Sequence, residues 1–86
     1  MSLIQELIER VKTPENYVPR DYPTIGGMWT VDTWRLGDIT VQLMDEGYTT
    51  VIRAPGLEVV DGYHGIEYKQ GSEADVQTLL YWLTND

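Results

Sequence analysis

The chain has 86 residues, 42% of them hydrophobic and 23% charged, and a formal net charge of −8. That length holds one hydrophobic core, and the composition belongs to a folded domain and not to a disordered tail. There is no cysteine, which excludes disulfides, thiolate catalysis and cysteine-ligated zinc, and the acidic balance argues against direct binding of nucleic-acid phosphates or anionic membranes.

The start, MSLIQELIERVK, lacks the apolar run of a signal peptide, and no apolar stretch is long enough to span a bilayer. The expectation is a cytoplasmic protein. Leu3, Ile4, Leu7, Ile8 and Val11 recur at helical period and predict a helix from Leu3 to Lys12. Ser2 stands at its N-cap with Gln5 three residues on, and Thr13-Pro14 ends it.

Residues 13–27 read as an irregular loop rich in proline, tyrosine and glycine, with Pro14, Pro19 and Pro23 stiffening the path from the helix to the sheet. Gly26-Gly27 in this loop is not a phosphate-binding fingerprint, because a strand and not a helix follows it. Strands are predicted at Met28–Leu36 and Ile39–Met44, joined by Gly37-Asp38 as a two-residue hairpin turn. That turn sets Leu36 against Ile39, Trp34 against Val41 and Asp32 against Leu43 on the core face, with Thr33, Arg35, Thr40 and Gln42 on the wet face. Asp32 is then out of place among apolar neighbours, and a bond to the preceding loop is its expected compensation.

Asp45-Glu46-Gly47 is the next turn, and Tyr48–Ala54 the third strand. A three-residue loop there points Val51 inward, whereas a two-residue loop points Ile52 inward. Pro55-Gly56 ends that strand, and Asp61-Gly62 is the expected turn between strands at Leu57–Val60 and Tyr63–Lys69. It would pair Leu57 with Ile66 and Val59 with His64, with Gly65 marking a bulge. The last element is a helix from Glu73 to about Thr84, capped by Ser72 with Asp75 at its third position. Val76, Leu79, Leu80 and Leu83 form its buried stripe, with Trp82 at the edge.

The expected fold is therefore α+β, one domain over residues 1–86 in the order α-β-β-β-β-β-α: an antiparallel meander sheet with N- and C-terminal helices packed on one face. Strands at a sheet edge, such as Leu57–Val60, offer a route to a homodimer, so monomer and homodimer both stay open.

Three functional readings compete. His64 lies near Asp61 and Glu67 in sequence and suggests a general base, but Ser2 and Ser72 read as caps and supply no nucleophile. The carboxylate pairs sit in turns and at a helix start, without a metal-ligand pattern, so neither metal nor cofactor is expected. A pocket between sheet and helices, lined by Trp29, Trp34, Tyr81 and Trp82, suggests a small-molecule or regulatory module.

The favoured reading is a non-catalytic interaction protein. Residues 44–86 carry eight of the 14 acids against only Arg53 and Lys69, so a basic protein surface is the complementary partner. The sharp form is an inhibitor of a nucleic-acid-handling protein, as phage and mobile-element inhibitors, nucleic-acid mimics and immunity proteins are. The expected contacts are Asp45, Glu46, Tyr48, Glu58, Asp61, Tyr63, Glu67 and Tyr68.

Overall fold

The computed structural model describes residues 2–19, 32–44 and 48–84. The start of the first expected strand at Met28, the turn Asp45-Glu46-Gly47, and most of the 13–27 loop lie outside the described residues. Helix α1 spans Leu3–Val11 and helix α2 Glu73–Thr84. Between them run β1 Tyr17–Val18, β2 Asp32–Leu36, β3 Ile39–Met44, β4 Thr49–Ala54, β5 Leu57–Gly62 and β6 Gly65–Gln70. The six strands form one antiparallel sheet in the order of the sequence.

The caps explain where the helices begin. Ser2 Oγ accepts the Gln5 amide at 3.2 Å at the start of α1. Asn16 closes the other end by donating to the Val11 carbonyl and to Thr13 Oγ1, both at 3.0 Å. At α2 the roles are reversed. Asp75 Oδ2 accepts the Ser72 amide at 2.8 Å and the Ser72 hydroxyl at 3.3 Å, the return half of a capping box.

The β2–β3 hairpin has the expected register, with Leu36 opposite Ile39, Trp34 opposite Val41 and Asp32 opposite Leu43. The pairing continues across the sheet. Trp34, Val41, Ile52, Val59 and Tyr68 form one cross-strand row on the helix side. Ile4, Leu7 and Val11 from α1 and Val76 and Leu80 from α2 close over that side, and with Ile39, Val41, Ile52, Leu57 and Val59 they make one buried cluster. Each fully buried aliphatic side chain here contributes about 1.5–3 kcal/mol of transfer free energy. Ile52, not Val51, faces the helices, the register of the two-residue alternative. Val51 is also buried, on the opposite face beside Gln42 and Val60.

Four expectations are corrected. The 13–27 segment is not irregular throughout: Pro14–Asn16 is a short 3-10 turn, and Tyr17–Val18 adds a sixth strand against Trp34 and Thr33. The last hairpin turns at Tyr63-His64, not at Asp61-Gly62, with Asp61 and Gly62 inside β5 opposite Ile66 and Gly65. The physical reason is burial. The expected register would set His64 against the fully buried Val59, whereas the observed one sets Tyr68 there. Gly65, with φ +96°, adopts the left-handed conformation that closes this turn. The bulge lies at Lys69, between the pairs Glu58–Gln70 and Val59–Tyr68, and not at Gly65. Finally, Leu57–Val60 is no edge: β5 runs between β4 and β6, and the edges are β1 and β6.

Asp32 finds its compensation in the segment before it. The Tyr17 hydroxyl donates to Asp32 Oδ1 at 2.9 Å. The Tyr17 ring meets Trp34 edge-on with centroids 5.4 Å apart, and Lys12 Nζ stands 5.3 Å from the centre of the Trp34 ring. This cluster fastens β1 to β2 and to the end of α1.

Candidate interaction surfaces

The predicted contact residues divide between two faces of the sheet. Glu58 and Glu67 point away from the helices, in the rows of Arg53 and Val60. Asp61 and Tyr68 point toward the helix side, in the rows of Thr50 and Val59. Tyr48 and Tyr63 come together: their rings stack at 5.4 Å with planes 24° apart, joining the β3–β4 connection to the β5–β6 turn. Asp45 and Glu46 lie outside the described residues.

Two sheet acids, Glu58 and Glu67, are answered by the sheet's own bases. Arg53 reaches Glu58 at 3.6 Å and donates to Gln42 Oε1 at 2.8 Å, while Gln42 donates to Thr33 Oγ1 at 3.4 Å. Lys69 pairs with Glu67 at 3.1 Å. Such exposed pairs add little stability, but they cancel the local field. With Arg35 on the same face, the described charges there do not form an acidic patch.

The helix layer differs. Glu6 and Glu9 on α1 and Glu73 on α2 have no ion-pair partner among the described residues. Glu6, Glu9, Arg10, Leu80 and Thr84 line a groove of about 390 Å³ between the two helices. Beyond the groove, α2 presents Tyr81, 63% exposed, and Trp82, 65% exposed. Trp34 packs against the core and, away from α2, lines a shallow hollow of about 400 Å³ with Lys12, Thr13, Pro14 and Tyr17. Trp29, the fourth expected wall of a pocket between sheet and helices, lies outside the described residues. Glu6 and Glu9 were not among the expected contacts, and Tyr81 and Trp82, expected as pocket walls, stand exposed instead. Their signal was present in the helical period, which sets them off the apolar stripes.

A second hollow, of about 540 Å³, opens at the tip of the last hairpin beside Thr49, Val60, Tyr63, His64 and Glu67. Gly62 and Gly65 face each other there and leave its floor bare. His64 stands exposed at the turn and not within a strand. Among the described residues no group of three or more His, Asp or Glu side chains converges on a point where an ion could sit. No helix among the described residues is long and apolar enough to cross a membrane.

Tyr68 has a displaced titration. Burial, and then the Glu73 carboxylate, push its phenol above the ordinary tyrosine value of 10.0. The folded chain therefore keeps this proton where the unfolded chain loses it. The resulting stability is complete below pH 10 and is lost as pH rises through the folded value. Chemical denaturation between pH 9 and 11, the window around the ordinary value of 10.0, should show a shallower decline for Tyr68→Phe than for the parent. Equal slopes would contradict this assignment.

No protein-family model matches the chain, and comparison with curated proteins and with solved structures gives no match.

Proposed function

We propose that this protein is a non-catalytic binding module that captures a protein with a basic surface and blocks a nucleic-acid-handling partner by occupying the site meant for phosphates. The observation that carries the reading is the difference between its layers. The sheet acids Glu58 and Glu67 are paired internally, while Glu6, Glu9 and Glu73 on the helices are not. Glu6 and Glu9 line the groove, Glu73 stands at the start of α2, and Tyr81 and Trp82 are exposed near its end; this layer favours a cationic protein surface, and long-range attraction speeds the encounter.

The test is capture from the native host lysate at about 0.05 M and about 0.5 M salt, since screening at the higher salt shortens electrostatic reach to a few ångströms. A basic nucleic-acid-handling protein should be retained at low salt and released at high salt. A variant carrying Glu6→Gln, Glu9→Gln and Glu73→Gln should retain it about tenfold less, as expected for three rim charges at several tenths of a kcal/mol each. Retention indifferent to both salt and the triple change would overturn the proposal.

A further inference from the structure

Resting on the reading above, we infer that the last turn of α2 is an arginine-binding surface: Trp82 and Tyr81 receive a guanidinium from the basic partner. Three observations meet at this place. The two rings lie 6.0 Å apart at 78°, so one offers its face where the other offers its edge. A guanidinium stacked on the indole face is held by the ring quadrupole, and tryptophan is the strongest aromatic partner for a cation.

The helix itself adds to the attraction. No basic residue stands in the last turn of α2, although its first turn carries Glu73 and Asp75. A helix C-terminus has a partial negative charge that a cation ordinarily answers. Here no side chain of the last turn supplies one, and Tyr81 and Trp82 stand exposed there beside Thr84.

The third observation is that the molecule already uses the same contact. Lys12 Nζ stands 5.3 Å from the centre of the half-buried Trp34 ring. Trp82 has the same ring on the outside, 65% exposed. Arginine suits it better than lysine, because the planar guanidinium is weakly hydrated and stacks, while the ammonium is compact and strongly hydrated. Tryptophan, tyrosine and arginine are also the residues that dominate interface hot spots.

The experiment uses the full chain and two short peptides of equal charge, one alternating arginine with alanine and one alternating lysine with alanine. Affinity and backbone and indole amide shifts are followed by NMR at low salt. The arginine peptide should bind at least about threefold more tightly, with the largest shifts at the Trp82 indole and over residues 78–84. Trp82→Ala should weaken that peptide about five- to tenfold and erase the preference. Tyr81→Ala serves as a second variant, and a dispersed amide spectrum verifies that each is folded.

Equal affinity of the two peptides, or shifts confined to the hairpin tips, would overturn the arginine surface and leave the acidic-module reading standing. Absence of binding by either peptide would overturn both. Concentration-dependent movement of the Trp82 indole without peptide, with a doubled mass by light scattering, would assign the face to a second copy and overturn it too.

Discussion

Gly71→Ala should lower the melting temperature by at least about 10 °C, because a loss of about 2–4 kcal/mol in a domain this small shifts melting by several degrees per kcal/mol. Two costs add. Gly71 has φ +83°, a conformation that a side chain with a Cβ adopts only under strain. A Cβ at this position would also stand 2.6 Å from the Gly56 carbonyl oxygen, 3.0 Å from Leu57 Cδ1 and 3.0 Å from Asp75 Oδ2. The first contact is with backbone and cannot swing away. It would push the β4–β5 turn from the start of α2, and it presses on the Asp75 carboxylate that holds the Ser72 amide.

The control is Gly37→Ala. Gly37 also has positive φ, +60°, but a Cβ there meets nothing within 4 Å. It should cost only the backbone strain, about 1–2 kcal/mol. Thermal melting of both variants separates strain from collision. Equal losses would mean that the approach of Gly71 to Gly56 is unimportant.

How far the sequence discloses this fold depends on what each signal constrains. Apolar period placed α1 and α2, since a helical stripe of four or five residues admits only one face. Gly37-Asp38 fixed the β2–β3 register because the strands flanking it alternate cleanly between apolar and polar residues. Asp61-Gly62 is as strong a turn signal in isolation, and it failed. Val59, fully buried, needs a large apolar partner across the ladder, and only the longer hairpin turning at Tyr63-His64 sets Tyr68 against it. Local turn chemistry yielded to tertiary burial. Tyr17–Val18 escaped detection because two residues carry no period.

The contact surface was less legible still. Acids counted along the chain pointed to the second half, but counting cannot see that Arg53 and Lys69 turn back onto Glu58 and Glu67. That pairing is cross-strand in one case and along a bulged strand in the other, so it depends on register. The unpaired acids Glu6 and Glu9 lie far in sequence from Tyr81 and Trp82. Only the packing of α1 beside α2 places all four on one layer.

Ile52→Ala should cost about 2–5 kcal/mol, a large part of the roughly 4–13 kcal/mol that a domain of this size possesses. Ile52 has no exposed surface, stands between Val41 and Val59 at the centre of the sheet, and belongs to the cluster beneath the helices. Removing its outer carbons leaves a cavity that this tightly framed site cannot close. Val51, one residue earlier, is 6% exposed but lies outside that cluster, on the face it shares with Thr33 and Gln42. Threonine replaces valine there with almost no change in shape, and its hydroxyl meets polar neighbours, so Val51→Thr should cost about 1 kcal/mol or less. Ile52→Thr should be as damaging as Ile52→Ala, because its hydroxyl would be buried among aliphatic carbons. Urea denaturation of the three variants decides the register of β4. If Val51→Thr proves the costly change and Ile52→Thr the mild one, the strand is shifted by one residue and Val51 faces the helices.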